Sequence, residues 1–544
     1  MAKEITADTL FKEFREVPLS EFFRKNKQYL GYVGKIKSLT TVFHELVTNS
    51  LDACEESGIL PNIEVSIKEV GSNHYRVKVR DNGPGIPINH LEKVFGQLLT
   101  GTKFHRNIQL RGQQGLGVSG AVLFSQVTTG KPTRIKSGTG SGKVIDAKVK
   151  MDIKKNKPEI VEKEILNDTW RGTEVELEFK NVMYTTGRQG PFEYVRWTAA
   201  ANPHAKIKFK DMDSEIVFDR VIDEVPETPE EIQPHPEGLE THDLLDIAHK
   251  TNSRSISSML KNELSRVSSK RVKEVQEEVG FDLKVSPKRL DWEKAEKLTE
   301  AFKEADFMAP PTSGLVPIGE DTVEKALDSL LAPDFVEAIT RKPTVYQGGI
   351  PFLVEVAVAY GGNAGRETST NGGGKKVELM RFANRAPLLF DRGACVTSEA
   401  LKTVDWKRYN LPDLDNAPVT VFINLISTHV PYTSAGKQAI AKEEEILDEM
   451  RYALMQIGRK LKSFLAGKRK LKEQKEKKKA FEKYVPETAR AISRITGGDE
   501  KKIEKGLDAI VRERFSELFK EEEIKKDEEE EQAAYEEIPE PEEE

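Results

Sequence analysis

The stretch from Gly112 to Gly120 contains four glycines within nine residues and leads into the apolar run Val118–Phe124. This pattern predicts a glycine-rich loop followed by a helix. Backbone N–H groups at the start of such a helix are free to approach an anion, and the helix dipole favours phosphate there. The loop lacks the GK[ST] ending of a Walker loop and is not the first βα turn of a Rossmann unit. Phosphate binding is therefore the chemistry that these residues suggest, although the motif alone is weak.

A second polar set occurs in the stretch 38–55, where Glu45, Asn49 and Asp52 are four and three positions apart. Wound as a helix at roughly 100° per residue, this stretch gathers an apolar stripe on one side and the three polar side chains on the other. Carboxylate, amide and carboxylate in a row form an unusual polar face. A solvated surface helix would show a similar face, so both interpretations remain open from this stretch alone.

A third candidate is Asp81, at the start of the segment DNGPGIP (81–87). The alternating stretches 62–70 and 75–83 predict strands, and the turn on two glycines brings Asp81 to a strand end, where a carboxylate can face a pocket. Further strands are predicted over 142–153 and 171–180. A bare Gly/Pro turn is common, so this segment is also weak alone.

Together, four segments resemble a known family. HELVTNSLDA (44–53), DNGPGIP (81–87), GQQGLGVSG (112–120) and RGTEVEL (171–177) occur in the order and spacing of the four ATP-site motifs of the GHKL family. That family includes gyrase-type topoisomerases, MutL mismatch-repair proteins, heat-shock chaperones and histidine kinases. The resemblance implies ATP binding by an α+β fold, a GHKL (Bergerat) ATPase sandwich over residues 31–233. Within that range, residues 181–233 look irregular and resemble a linker.

The resemblance also implies roles for single residues. Glu45 matches the general base that polarises the attacking water, and Asn49 matches the ligand of Mg²⁺. Asp81 matches the carboxylate that accepts from the adenine amino group, Thr173 supports the same contact, and Asp52 is expected to be structural. Histidine kinases usually lack a glutamate at the position of Glu45, so hydrolysis is implied rather than transfer to histidine. The other implied ATP-binding positions are Gly85, Thr102, Lys103, Gly112, Gln113, Gln114, Gly115, Leu116, Gly117, Val118, Ser119 and Lys437.

Residues 234–310 are predicted to form a small domain of short helices broken by Ser, Gly and Pro. This domain resembles the helix-two-turn-helix insert of topoisomerase VI B subunits, whereas gyrase-type enzymes and MutL pass directly to the next domain. Its basic residues could touch DNA phosphate, although a solvated helix face explains them equally well. These residues are Lys261, Arg266, Lys270, Arg271 and Lys273.

Residues 311–485 are predicted to form an α/β transducer domain with a long C-terminal helix. Strand-like segments at 352–362, 375–390 and 417–428 precede apolar residues at steps of three and four from Ile446 to Leu465. Between them, THVPYTSAGKQAI (428–440) resembles the transducer loop of the topoisomerase VI B family, where a lysine reaches into the neighbouring ATP site and contacts the γ-phosphate. Lys437 occupies that position, and a cation there would offset the negative charge that develops on the γ-phosphate during hydrolysis.

Beyond residue 485 no DxD pattern of a strand-cleaving domain occurs. The family resemblance therefore implies a partner, the A-type subunit of topoisomerase VI that carries the catalytic tyrosine. It also implies that ATP binding dimerises two B subunits, that an A₂B₂ heterotetramer forms, and that one DNA duplex passes through a transient break in another. The remaining predicted segments are an N-terminal strap (1–30), a short helical segment (486–520) and a disordered acidic tail (521–544).

The composition is that of a soluble protein with uneven charge. The chain carries a net −6, but residues 521–544 hold fourteen Asp and Glu against two Lys, so the body is basic and includes the run Lys468–Lys479. This asymmetry favours a double-stranded DNA partner. Only two cysteines occur, far apart, and no run of eighteen apolar residues predicts a membrane span. We expect a cytoplasmic protein associated with the nucleoid of a prokaryote.

Two other functions are compatible with the ATP-site motifs. A MutL-like mismatch-repair ATPase would signal on DNA without relaxing it, but the helical insert and the SAGKQAI segment (434–440) argue against it. A heat-shock-type GHKL chaperone would bind client proteins and hydrolyse ATP without responding to DNA. The sequence favours the topoisomerase over both.

Overall fold

The computed structural model describes residues 19–27, 31–98, 108–112, 117–153, 155–367, 374–434 and 436–516. They form two compact units: the first extends to Trp406 and includes Asp413–Gly458, and the second comprises Lys407–Pro412 and the chain from Arg459. Several predicted features lie outside the described residues: most of the strap at 1–30, Thr102, Lys103, Gln113, Gln114, Gly115, Leu116 and the tail at 521–544.

The N-terminal domain of the first unit combines helices with a large sheet. Its helices are α1 (Leu19–Lys25), α2 (Lys35–Glu56), α3 (Ile88–Gly96), α4 (Gly117–Thr129) and α5 (Pro191–Ala201). Its strands are β1 (Asn62–Gly71), β2 (His74–Arg80), β3 (Thr133–Thr139), β4 (Val144–Asp152), β5 (Lys157–Leu166), β6 (Arg171–Lys180), β7 (Lys206–Lys210) and β8 (Glu215–Phe218). In the described residues the strands pair in the order β5–β4–β3–β6–β2–β1–β7–β8, and β1 runs parallel to β7.

Strand β2 shows why this sheet has one buried face. Tyr75, Val77 and Val79 are buried because side chains alternate between the two faces and these three face the helices. On the opposite face, Arg76 Nη2 lies 2.8 Å from Glu178 Oε1 of β6. The alternation in sequence therefore sets which face carries the helices.

Helix α2 packs along the buried face through its apolar stripe. Phe43 and Leu46 are buried, and the ring of Phe43 lies 6.3 Å from that of Phe209 in β7. Phe124 of α4 stacks on Phe179 of β6 at 5.5 Å. Because both helices are anchored to the same sheet, the polar face of α2 and the start of α4 keep a defined separation.

The expectation that residues 181–233 are irregular is wrong. This segment contains α5, β7 and β8, and β7 pairs with β1 in parallel. Short strands such as KIKFK (206–210) carry few residues for a periodic signal, and their pairing is made by contacts distant in sequence. The segment therefore belongs to the sheet.

The helical domain contains α6 (Thr241–Lys250), α7 (Ile256–Glu263), α8 (Ser269–Val279) and α9 (Trp292–Glu304), with short 3-10 turns at Pro236–Gly238 and Pro287–Arg289. Side chains that sequence reasoning associates with helix starts do cap them. Ser255 Oγ accepts from the Ser258 N–H at 3.2 Å, and Asp291 Oδ1 accepts from the Lys294 N–H at 3.0 Å. The domain has its own apolar core, which includes Leu244, Met259, Leu260, Leu298 and Phe302.

The α/β domain that follows is built on a second sheet. Its elements are α10 (Glu320–Leu331), β9 (Phe335–Thr340), β10 (Thr344–Tyr346), β11 (Ile350–Tyr360), β12 (Arg366–Glu367), β13 (Lys375–Lys376), β14 (Glu378–Ala383), β15 (Ala386–Pro387), α11 (Val396–Thr403) and β16 (Val419–Ser427). In the described part of this domain the pairing order is β10–β11–β16–β14–β15, with β9 also on β11 and with β14 parallel to β16. Strand β16 is buried on both faces, as expected for a strand covered on both sides.

The last two helices of the described residues are α12 (Glu444–Thr496) and α13 (Glu500–Arg514). Helix α12 passes from the first unit into the second after Gly458 and continues through Pro486, so the helix has no break at the predicted domain boundary of 485. The second unit has a small apolar cluster formed by Val485, Val511 and Phe515. Within the described ranges, no helix is both long and apolar enough to cross a membrane.

Candidate nucleotide site

Asp81 is held at the end of β2 by hydrogen bonds from three directions. Ser50 Oγ donates to Asp81 Oδ2 at 2.9 Å, and the N–H groups of Gly83 and Thr173 each donate to Oδ1 at 3.0 Å. Burial raises the pKa of Asp81 above its ordinary value, although these hydrogen bonds act in the opposite direction. The carboxylate is thus oriented by fixed donors, and Thr173 contacts it through its main chain.

Glycines allow the backbone around Asp81 to pack without side chains. A Cβ at Gly85 would lie 2.0 Å from the carbonyl oxygen of Gly138, and Gly85 has φ +74°. A Cβ at Gly172 would lie 2.1 Å from the carbonyl oxygen of Asp81. Any side chain at these positions would push apart the strand ends that surround the carboxylate.

Glu45 and the start of α4 lie against each other. A Cβ at Gly117 would lie 2.0 Å from Glu45 Oε2, so only glycine fits beside this carboxylate. Asn49 is exposed one turn further along α2, and Ser119 is buried in the first turn of α4. The start of α4 therefore lies directly against the Glu45 carboxylate, and a helix N-terminus is a favourable place for an anion.

Lys437 reaches the same region from the α/β domain. Its Nζ donates to the carbonyl oxygen of Arg111 at 3.4 Å and lies 5.9 Å from the ring centroid of Tyr432. Burial lowers the pKa of Lys437, and the negative charges of Glu45 and Asp52 act in the opposite direction. Lys437 also has φ +51°, a conformation that non-glycine residues rarely adopt.

A buried ion-pair network, which the sequence does not predict, lies beside this site. Arg111 Nη1 is 2.7 Å from Asp52 Oδ1, and Arg111 Nη2 is 2.7 Å from Glu55 Oε1. Asn202 Oδ1 accepts from Arg111 Nη2 at 2.6 Å, and His204 Nε2 is 2.8 Å from Glu55 Oε1. Burial raises the pKa of Glu55, but Arg111 and His204 outweigh it and hold that pKa well below its ordinary value.

The predicted site residues fall into two groups in the structure. Asp81, Thr173 and Gly85 lie together at the strand ends, and Glu45 and Gly117 lie together where α2 meets α4. Lys437 contacts the main chain of Arg111, and the charge of Glu45 acts on its pKa. Gly112 ends one described range, and Gly117 and Val118 begin the next. Asp52 is in the ion-pair network, as a structural residue would be.

Two residues that sequence reasoning missed are Ser50 and Arg111. Ser50 follows Asn49 directly and could have been found as a hydroxyl on the buried side of the same helix. Arg111 precedes the first glycine of the loop, and no local pattern distinguishes it from a surface arginine. In the described residues, no group of three or more His, Cys, Asp or Glu could hold a metal ion.

Two family models match this chain. One, described as histidine kinase-, DNA gyrase B- and HSP90-like ATPase, matches residues 34–153. The other, described as topoisomerase VI B subunit, transducer, matches residues 310–477. The fold and the site therefore define a GHKL-type ATPase that carries a transducer domain.

Similar chains identify the family more narrowly. The B subunit of type 2 DNA topoisomerase 6 from Methanothermobacter thermautotrophicus is 50% identical over 508 residues, which cover 92% of this chain and 96% of that protein. The corresponding B subunit of Pyrococcus furiosus is 47% identical over 547 residues, covering 91% and 94%. The chain belongs to the family of type 2 DNA topoisomerase 6 B subunits.

A more distant structural match is the ATPase region of Saccharomyces cerevisiae topoisomerase II, with a TM-score of 0.39 at 11% identity over 84% of this chain and 99% of that one.

The family, the α+β class and the ATP-driven type II topoisomerase function predicted from the sequence are confirmed. The chain is a nucleotide-binding ATPase subunit of a type II topoisomerase. The mismatch-repair and chaperone alternatives are set aside by the same comparisons.

Proposed function

We propose that this chain hydrolyses ATP with Glu45 as the general base and uses Lys437 to couple the state of the terminal phosphate to the transducer domain. The observation that supports this proposal is that the Glu45 carboxylate lies against Gly117 at the start of α4, while Lys437 of the α/β domain bonds to the main chain of Arg111, the residue before Gly112. A carboxylate there accepts a proton from the attacking water. A cation there offsets the charge that develops on the phosphate.

Asp81 would bind the adenine end of the nucleotide. Its carboxylate is held by Ser50 and by the N–H groups of Gly83 and Thr173, so it presents an oriented acceptor to the adenine amino group. The phosphates would lie toward the start of α4, because a helix N-terminus favours an anion. Thr102, Lys103 and the segment from Gly112 to Ser119 would cover them.

The residues present fit a single magnesium ion bound together with the nucleotide. Asn49 supplies an exposed amide oxygen one turn from Glu45, and Mg²⁺ is commonly held by one or two protein oxygens plus phosphate and water. That donor set needs no cluster of acidic residues, which agrees with the described part of the site. Magnesium bound there would neutralise phosphate charge, while Glu45 would remain the group that holds the proton.

The assembly that carries out DNA transport would contain an A-type subunit with the cleaving tyrosine. Two copies of this chain would dimerise on ATP binding, form an A₂B₂ heterotetramer and capture a DNA duplex. Hydrolysis would then drive passage of this duplex through a break in a second one, which relaxes supercoils and separates linked circles. Such a complex would act in the cytoplasm, at the nucleoid.

The test is an ATPase assay on the full-length chain with and without a purified A-type partner and supercoiled DNA. We expect the partner and DNA together to stimulate hydrolysis and to produce ATP-dependent relaxation. The control is Glu45→Ala in the same complex, which should bind DNA without relaxing it. Wild-type hydrolysis that responds to neither partner nor DNA, with no relaxation, would contradict the proposal.

A further inference from the structure

Cys395, the residue directly before α11, lies at the base of the transducer loop (residues 428–440). The residue is 2% exposed, and its Sγ accepts a hydrogen bond from the Ile440 N–H at 3.5 Å. The next residue, Val396, donates its N–H to the Ile440 carbonyl oxygen at 3.1 Å. Because Ile440 is fully buried, an N–H group without an acceptor there would be unfavourable. Two consecutive residues at the start of α11 therefore hold both polar main-chain groups of Ile440.

Ile440 belongs to the part of the transducer loop that carries Lys437. Tyr432 and Ile440 form an antiparallel bridge, and the Thr433 N–H donates to the Ala439 carbonyl oxygen at 3.0 Å. Lys437 lies within the turn that these two pairs close, and its Nζ lies 5.9 Å from the ring centroid of Tyr432. The main-chain position of Lys437 therefore depends on where Ile440 is held.

Arg381 of β14 holds the chain that leads to Cys395. Its side chain is buried, its Nη2 donates to the Phe390 carbonyl oxygen at 2.7 Å, and its own carbonyl oxygen accepts from the Leu388 N–H at 2.7 Å. Burial lowers the pKa of Arg381, and the neighbouring Cys395 acts in the opposite direction. The segment before Cys395 is therefore bonded to a strand of the second sheet, which gives the base of the loop a rigid support.

The sulfur of Cys395 serves the loop rather than its own helix. Ser, Thr, Asp and Asn are the usual residues directly before a helix, because their side-chain oxygen accepts from an N–H of the first turn. Cys395 makes no such bond in α11, although its Sγ lies 3.1 Å from Thr397 Oγ1. A buried cysteine often acts only as a small apolar side chain. This one also supplies the acceptor for the buried Ile440 N–H.

We propose that Cys395 is a positioning residue for Lys437. It holds Ile440 by accepting its N–H, Ile440 determines where the turn of the loop lies, and the turn determines how far the Lys437 ammonium reaches toward the terminal phosphate. Cys395 acts only through the loop. This inference rests on the proposed contact between Lys437 and the terminal phosphate.

The decisive variant is Cys395→Val, because valine is apolar and of similar size but offers no acceptor. The extended backbone at this position, with φ −98°, suits a β-branched residue. In the complex with an A-type partner, we expect kcat for ATP hydrolysis per folded chain to fall about tenfold, because a small displacement of a group at the reacting phosphate is costly. Affinity for ADP, which lacks the terminal phosphate, should be unchanged. Cys395→Ala should behave like Cys395→Val, whereas Cys395→Ser keeps an acceptor and should recover part of kcat.

The same change in a Lys437→Ala background separates positioning from general destabilisation. Lys437→Ala alone should lower kcat, and adding Cys395→Val should lower it no further, because a residue that acts through Lys437 then has nothing left to position. The matched control is Ser255→Ala, which removes the acceptor for the Ser258 N–H at the start of α7 in the helical domain. We expect this control to leave kcat and ADP affinity unchanged.

Wild-type kcat in both Cys395→Val and Cys395→Ala would overturn the inference. So would the same fractional loss of kcat in the wild-type and Lys437→Ala backgrounds, or a loss that Cys395→Ser does not relieve. If Lys437→Ala alone hydrolyses ATP at the wild-type rate, the proposed role of Lys437 fails, and the inference fails with it.

Discussion

At the scale of residues, the Glu45 carboxylate is closely bordered by the start of α4. Gly117 leaves no room for a side chain beside its carboxylate, and Lys437 approaches the same region from a different domain. The charge of Glu45 therefore faces the helix start where a phosphate would bind. Removing it should affect chemistry more than binding.

We predict that Glu45→Ala retains nucleotide binding and loses turnover by about a hundredfold or more, because a positioned general base contributes at least that much. Single-turnover ATP hydrolysis and nucleotide affinity measured on the same preparation would test this. Glu45→Gln keeps the shape and should behave in the same way. Wild-type hydrolysis in either variant would show that another group is the base.

Asp81 illustrates how residue positions and backbone geometry combine. Thr173 matches the family motif, and it contacts the Asp81 carboxylate through its main-chain N–H. The other two hydrogen bonds that orient this carboxylate come from the Ser50 hydroxyl and the Gly83 N–H. The hydroxyl at position 50 therefore has a defined part in the candidate adenine pocket, although no motif singles it out.

At the scale of elements, the ion-pair network links α2, Arg111 and the chain after α5. Arg111 and His204 hold the folded-state pKa of Glu55 well below its unfolded value. The pKa of His204 is also lowered in the folded state, in this case by burial. For both groups the unfolded chain binds more protons than the folded chain on acidification. Their contribution to stability is thus present at neutral pH and is lost as pH falls, first through the range of His204 and then through that of Glu55.

We predict that Glu55→Gln lowers the free energy of unfolding at pH 7 by about 3 kcal/mol, because it disrupts a buried ion pair. The difference from the wild type should narrow as pH falls below about 4.3, where glutamate protonates in the unfolded chain. Urea unfolding at several pH values would measure it.

The control for this prediction is Glu162→Gln. Glu162 pairs with Lys148 at 2.7 Å, but its side chain is 63% exposed, so the variant should differ little from the wild type at any pH. A Glu55→Gln difference that stayed constant with pH would mean that Glu55 titrates alike in the folded and unfolded states.

At the scale of the whole molecule, charge is the property that bears on DNA. The run from Lys468 to Lys479 lies on α12, and most of its basic side chains are exposed, including Lys470 and Lys472. Exposed cations along a helix can neutralise phosphates and release counterions. The run is therefore a candidate DNA-binding surface of the second unit.

We predict that replacing Lys468, Lys470 and Lys472 by glutamine weakens DNA binding and reduces the salt slope by about 0.9 for each phosphate that the chain no longer neutralises. Binding of a duplex to the full-length chain over a range of salt concentrations would measure the slope. Glutamine at Lys157, Lys163 and Lys180, three exposed lysines of the N-terminal sheet, is the control. Equal salt slopes in the two triple variants would mean that the run Lys468–Lys479 does not bind DNA.

Features that depend on local periodicity or on a contiguous motif could be predicted from the amino-acid sequence. The spacing of Glu45 and Asn49 placed them on one helical face, and strand β6 was predicted with its observed bounds, Arg171–Lys180. The four ATP-site motifs and the SAGKQAI segment were sufficient to predict the family. These signals lie within short windows, where backbone geometry alone relates one residue to the next.

Which distant residues meet could be learned only from the folded chain. Strands β3, β5, β7 and β8 were missed from the sequence. Strand β7 joins the sheet by pairing with β1, which is far away in sequence, whereas β5 and β8 form hairpins with their neighbours β4 and β7. Arg111, Glu55 and Asn202 carry no shared local pattern, yet burial makes their charges and dipoles depend on one another. The physical reason is that a buried ion pair is specified by the packing of several elements around it, and that packing exists only once the whole chain has folded.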